Sequence, residues 1–116
     1  SSPFHGWNFC VGSIAEMCED PANDIYPFIE YFGKNKSIFL VHYRNLLGKR
    51  YSFREALPDE GSMDFHLVLK SLKDVGYTYG IDPDHVPKTD DDPKGYYQSY
   101  AYSFGYINAM LQSVYA

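Results

Sequence analysis

Three short apolar runs in this chain each end in a side chain able to bind a metal or move a proton. The runs are GWNFCVG (6–12), SIFLVHYRN (37–45) and YTYGIDPDH (77–85), and their reactive residues are Cys10, His42 and Asp84. Each run reads as a strand, and each is followed by a stretch with apolar residues at helical spacing. Strand and helix in alternation predict a parallel α/β fold.

The helical stretches are NDIYPFIEYFG (23–33), SMDFHLVLKSLKDVG (62–76) and YQSYAYSFGYINAMLQSVY (97–115). In the first, Asn23 or Asp24 is placed to cap, Pro27 fits a first turn, Ile25, Phe28, Ile29 and Phe32 form a stripe, and Gly33 stops the helix. In the second, Ser62 caps and Gly76 ends. In the third, Tyr97, Tyr100, Phe104, Ile107, Leu111 and Val114 share a stripe. The second strand is nearly all apolar before His42, which predicts burial on both faces. Residues 46–61 read as a polar loop.

Cys10 and His42 are 32 residues apart, and His42 and Asp84 are 42 apart. A (β/α)8 barrel uses about 31 residues per unit and gathers its active site at the C-terminal strand ends. The spacing therefore predicts one functional residue per barrel strand. A doubly wound sheet would also alternate, but it usually carries a glycine-rich phosphate turn, and neither GxGxxG nor GxxxxGK[ST] occurs. Three units do not close a barrel, so residues 1–116 are read as the C-terminal part of one, a partial catalytic domain lacking its N-terminal strands. The start SSPFHGW, without Met or a signal-peptide pattern, agrees with a trimmed, processed or fragmentary chain.

Composition narrows the partners. A net charge of -5 argues against nucleic acid, which asks for a basic face. The longest apolar run, IFLV, is too short to span a membrane. Two cysteines without a CxxC make no disulfide framework, which points to a reducing, cytoplasmic compartment.

Thiolate, imidazole and carboxylate are all metal ligands. Alone, Cys10 reads as a buried cysteine, His42 as a satisfied polar residue and Asp84 as a turn residue. Together, at consecutive strand ends, they predict one metal site. Pro83 and Pro87 bracket Asp84-His85 and predict a stiff, near-extended segment. Its two side chains would then point to opposite sides, Asp84 to a metal and His85 to another part of the substrate. Arg44 and Asn45 lie just beyond the second strand, where Arg44 can fork onto a substrate carboxylate. Tyr96 lies in the loop after the third strand. Glu55 and Asp59 sit in the loop after the second strand and can cover the mouth.

The segments FCVGS, IFLVHYRN, SFREALPDEGSMD, DPDHVP and PKGYY…FGYINAML, in this order, resemble the C-terminal part of the D-mannonate dehydratase family over nearly the whole chain. The resemblance implies a (β/α)8 barrel of xylose isomerase-like architecture. It implies a hydro-lyase converting D-mannonate to 2-dehydro-3-deoxy-D-gluconate in hexuronate (glucuronate) catabolism, with Mn(II) or Fe(II) as cofactor. It assigns Cys10, His42 and Asp84 as metal ligands, with a fourth ligand, a histidine on an earlier strand, that no residue here matches. It assigns His85 and Tyr96 to proton transfer and leaves open which is base and which is acid. A full-length member is expected to form a homo-oligomer. The competing expectations are a sugar isomerase or epimerase of similar fold, against which the cysteine ligand argues, and an inactive half-barrel.

Overall fold

In the computed structural model, which describes residues 2–92 and 95–116, three parallel strands form a sheet in the order β1-β2-β5. These are β1 (Trp7–Cys10), β2 (Ile38–His42) and β5 (Gly80–Asp82). Two further strands, β3 (Asn45–Lys49) and β4 (Ser52–Ala56), pair as a separate antiparallel hairpin. The helices are α1 (Val11–Ala15), α2 (Pro21–Lys34), α3 (Phe65–Asp74) and α4 (Tyr97–Tyr115). The result is an α/β domain built on a parallel sheet, with the strand–helix alternation the sequence predicts.

The helices form where the apolar stripes predict them, with corrected ends. α2 starts at Pro21, where the missing N–H of proline costs nothing, and Asp20 precedes it as N-cap. Neither Asn23 nor Asp24 caps it. Pro27 lies inside the helix rather than in its first turn. Its ring and Asn23 both face solvent, so water can satisfy the carbonyl that loses its intrahelical donor. Gly33 does not stop α2. It is buried, and a Cβ there would sit 2.3 Å from Val75 Cγ2, so the glycine lets α2 approach the end of α3. α3 is capped by Asp64, whose Oδ1 accepts from the N–H groups of His66 and Leu67 at 2.9 and 3.2 Å. Ser62, the expected cap, instead joins the hairpin: its hydroxyl accepts from Gly48 N–H at 2.9 Å.

The residues expected to be a polar loop fold as the β3–β4 hairpin. Lys49 pairs with Ser52 across a turn at Arg50-Tyr51, and Tyr51 takes φ 64°. Gly48 takes φ 121°, and a Cβ there would lie 2.2 Å from the Ser52 carbonyl oxygen, so only glycine fits this bend. The segment directly after β1 is the short helix α1.

One buried cluster joins the sheet to its helices: Phe9 and Val41 from the strands, Ile25 and Ile29 from α2, and Val68, Leu69 and Leu72 from α3. Phe9 and Val41 are register partners and face this layer together. The other face carries Asn8, Cys10, Leu40, His42, Gly80 and Asp82 by strand alternation. Leu40 and His42 are only partly buried. Beyond Ile38, which is buried at the start of the strand, β2 is therefore enclosed on one face, not both, because the chain lays helices on one side of the sheet. α4 packs on α3 through Ile107 and Val114, flanked by buried Ser99 and Ser103, while Tyr97 and Phe104 of the expected stripe face solvent. Small serines allow the close approach that bulky aromatics would prevent.

Candidate metal centre

The open face of the sheet carries its chemistry at the C-terminal end. Cys10 ends β1 and is followed at once by α1, which turns the chain away and leaves the thiol at the rim. His42 ends β2 and is the register partner of Cys10 on one side and of Asp82 on the other. Pro83 keeps the chain extended after β5, so Asp84, two residues past Asp82, returns to the same face.

The three side chains converge. One ligand atom from each of Cys10, His42 and Asp84 lies within 4.8 Å of the other two. Asp84 Oδ2 is 3.1 Å from His42 Nδ1 and 4.0 Å from Cys10 Sγ. Ligands sharing one divalent ion at bonds of about 2.0–2.3 Å are spaced in this way. A thiolate, an imidazole and a carboxylate together suit a borderline transition metal better than calcium or magnesium, which prefer oxygen alone. The residues present therefore fit a divalent metal. Asn8, which sequence reasoning did not single out, sets its side-chain Nδ2 3.1 Å from His42 Nε2, while His42 Nδ1 faces Asp84. Its signal was its position, two residues before Cys10 on the same face.

His85 is placed differently from the sequence expectation. Its φ is 50°, so the chain bends at His85 instead of running extended between the prolines. The left-handed bend brings its ring back beside Asp84: Nε2 lies 3.4 Å from Asp84 Oδ2. Asp84 and His85 therefore share one locale rather than facing opposite ways. Histidine is among the non-glycine residues that tolerate this region, at a cost of about 1–3 kcal/mol. His85 Nδ1 lies 3.8 Å from Glu55 Oε1.

Arg44 is buried beneath the site. Its Nε donates to Glu55 Oε2 at 2.9 Å and its Nη2 to Glu55 Oε1 at 2.6 Å. Nη2 also reaches Glu16 Oε2 at 3.1 Å, and Nη1 reaches Ser13 Oγ at 3.3 Å. Hydrogen bonding to Glu55 holds the guanidinium charged well above its ordinary range, against the desolvation that burial imposes. Gly12 makes room for this: a Cβ there would lie 2.6 Å from the Arg44 Cγ and Cδ atoms. The fork expected to meet a substrate carboxylate thus meets a protein carboxylate. Asn45 is also directed inward. Its Nδ2 donates to the carbonyls of Pro58 and Met63 at 2.8 and 2.9 Å, and its Oδ1 accepts from the N–H groups of Leu46 and Met63. That uses both donors and both lone pairs of the amide. Tyr96 stands exposed at the left-handed residue, φ 61°, that opens α4. Asp59 accepts from the Tyr102 hydroxyl at 2.7 Å and stays at the surface.

Comparison with known proteins places these residues in a family. A family model described as D-mannonate dehydratase (UxuA) matches residues 1–116. A mannonate dehydratase of Thermotoga petrophila is 40% identical over 87 residues, covering 72% of this chain and 23% of its own length. One from Lactococcus lactis subsp. cremoris is 38% identical over 89 residues, covering 72% of this chain and 24% of its own. A crystal structure of mannonate dehydratase from Streptococcus suis serotype 2 superimposes with a TM-score of 0.71 at 27% identity, covering 97% of this chain and 34% of that one. This chain spans about a quarter of the length of the curated relatives it matches.

Proposed function

We propose, from the premise that this chain belongs to the D-mannonate dehydratase family, that residues 1–116 form the C-terminal part of a (β/α)8 barrel enzyme. The enzyme is a cytoplasmic lyase that dehydrates D-mannonate to 2-dehydro-3-deoxy-D-gluconate in hexuronate catabolism. The observation that carries the reading is the convergence of Cys10, His42 and Asp84 within 4.8 Å at one end of the sheet, with His85 beside them.

Cys10, His42 and Asp84 would hold the metal. When bound, a divalent ion, Mn(II) or Fe(II), supplies a Lewis acid for the carboxylate and 2-hydroxyl of the substrate. The remaining work is proton transfer. The C2–H bond breaks, the C3–O bond breaks, the 3-hydroxyl leaves as water, and the resulting enol becomes the 2-keto group. The C2 proton is weakly acidic and the hydroxyl is a poor leaving group, so a base and an acid are both needed. His85 and Tyr96 take these roles, and the bend at His85 presents Nε2 at the triad. Arg44 and Asn45 serve the site as framework: Arg44 ties α1 and the hairpin to the end of β2, and Asn45 holds the hairpin to the segment before α3.

The test is His85→Asn in the intact enzyme. Turnover of D-mannonate is expected to fall to background while bound metal stays at the wild-type level. Loss of metal would make His85 a ligand instead, and an isomeric sugar in place of a 2-keto-3-deoxy acid would overturn the reaction class.

A further inference from the structure

We propose that Arg44 is a positioning residue for Cys10, holding the thiol at the triad through the short helix that follows it; this rests on the reading of Cys10 as a metal ligand. Cys10 closes β1 and is also the residue from which α1 starts, with extended backbone at φ −83° and ψ 107°. Its thiol makes no capping bond to α1 and stays free to face Asp84 Oδ2, 4.0 Å away. The ladder to β2 holds one side of Cys10, beside His42. The other side is held by α1. That helix has five residues, far fewer than the roughly 12–15 that an isolated helix needs in water. Its order therefore comes from the contacts it makes with the rest of the chain.

Val11 and Ala15 supply the apolar contacts, and Arg44 supplies the polar anchor. One guanidinium reaches two residues of α1, Ser13 Oγ at 3.3 Å and Glu16 Oε2 at 3.1 Å, while Glu55 of the hairpin grips it with both carboxylate oxygens. Arg44 follows His42 closely, as Ser13 and Glu16 follow Cys10. One side chain thus ties the segment after one proposed ligand to the segment after the other. The Arg44 stem lies flat on the α1 backbone, where a Cβ at Gly12 would come within 2.6 Å of it. The Cys10 thiol also lies near enough to help Glu55 hold the guanidinium charged. A second tie runs further along, where the Arg50 N–H donates to the Cys18 carbonyl at 2.8 Å and the Lys49 and Arg50 side chains reach Glu19. Those side chains are exposed, and water weakens their pairing. Arg44 is 4% exposed and is screened far less, so the placement of α1 rests on it.

The test is Arg44→Lys in the intact, metal-free protein, titrated with Co(II) alone. Lysine keeps the positive charge but, as a single point donor, cannot reach Glu55, Ser13 and Glu16 together. A thiolate bound to Co(II) gives a near-ultraviolet charge-transfer band that imidazole and carboxylate ligands do not give. Arg44→Lys is expected to weaken Co(II) binding about 10–100-fold and to lower the band per bound ion. Leu72→Ala, in the packed layer, is expected to lose stability and keep the wild-type band. An Arg44→Lys band at wild-type strength, or an equal fall in Leu72→Ala, overturns the proposal. Should Arg44→Lys fail to fold, Ser13→Ala with Glu16→Ala cuts only the α1 side of the link; the band is expected to fall, and an unchanged band overturns the proposal. Cys10→Ser separates this proposal from the reading beneath it. A band that is missing from the wild type, or that survives Cys10→Ser, overturns the metal reading and this proposal with it. A band lost in Cys10→Ser yet unchanged in Arg44→Lys overturns this proposal alone.

Discussion

Leu40 and Val41 are neighbours on β2 with opposite surroundings. Val41 is fully buried, at 0% exposure, against Phe9 and the α2–α3 layer. Leu40 shares the other face with Asn8, Cys10 and His42, and that face is only partly covered. The chain completes its packing on one side of its sheet and leaves the other to chemistry. On the packed side, burial fixes the residues and hardly constrains them chemically. On the open side, polar residues hold each other by named contacts, and every proposed ligand stands there.

The largest expected effect concerns the open face as a whole. Expressed alone, the 116-residue chain is expected to bind Mn(II) weakly and to show no turnover of D-mannonate. The three proposed ligands, on a half-covered face, lack the enclosure and the fourth ligand that the family resemblance implies. Metal titration and an assay for 2-keto-3-deoxy acid check this. Tight binding with turnover would mean that the open face is complete as it stands, and the contrast between the two faces would lose its functional meaning.

A paired substitution sharpens the contrast with one chemistry. Leu72→Ala, at 0% exposure on α3, is expected to cost about 2–5 kcal/mol, the lost transfer energy plus a cavity that the packed layer cannot close. Leu40→Ala on the open face is expected to cost less, about 1–2 kcal/mol, because less of its surface leaves water on folding. Urea unfolding of both variants measures the difference. Equal losses would mean that the open face packs as tightly as the helical one.

The contrast also explains what could be read from the sequence. The apolar stripes of α2 and α3 and the reactive residues at strand ends were legible, because burial and chemistry each leave a periodic mark. The hairpin was not. Its turn, Arg50-Tyr51, lacks the Asn-Gly or Asp-Gly pair that usually marks one, and Tyr51 adopts a positive φ that its type does not advertise. The bend at His85 was missed for the same reason, since two prolines suggested an extended path. Arg44 and Asn45 were expected at the substrate because the strand ends just before them. Their true partners depend on the hairpin, which brings Glu55 under the site and Met63 against Asn45. In α4 the stripe holds at Ile107 and Val114 but not at its start, where bulk does not bring burial: Ser103 is fully buried and Phe104 is not.

Alkaline pH probes the packed side next. Burial raises the Tyr77 phenol to about 12, and burial pushes Tyr43 higher still. The Tyr77 hydroxyl donates to the Gly80 carbonyl at 2.5 Å, and that of Tyr43 to the Phe65 carbonyl. Both groups keep their protons longer in the folded chain than in the unfolded one, which ionises near pH 10. Their contribution to stability is therefore whole below about pH 10 and is lost as pH rises through 10 to 12 and beyond. Tyr77→Phe is expected to cost about 0.5–1.5 kcal/mol at neutral pH through the lost hydrogen bond, and to flatten the alkaline fall. Thermal unfolding between pH 8 and 11 checks this. An unchanged slope in the variant would mean that Tyr77 titrates alike in both states.

The smallest expected change in stability lies at the margin where the two faces meet, on the free edge of β1. Trp7 and Met17 are 52% and 59% exposed there, and with Phe28 and Phe32 they border a groove of about 550 Å³. Trp7 leans on Phe32 with ring centroids 5.1 Å apart, a contact that is already half in water. The outer edge of β1 has no strand partner among the described residues, and an unpaired edge beside an apolar patch is a template for association. Trp7→Ser with Met17→Ser is therefore expected to change folding stability by no more than about 1 kcal/mol while reducing self-association of the isolated chain. Sedimentation of the wild-type and variant chains across a concentration series measures the association, and urea unfolding measures the stability. Mostly solvated side chains give little when they are removed, whereas the same side chains buried between two copies give much, so association should respond where stability does not. A wild-type chain that stays monomeric, or a variant that associates equally, would show that this margin is not adhesive and that the open side of the sheet needs no cover beyond solvent.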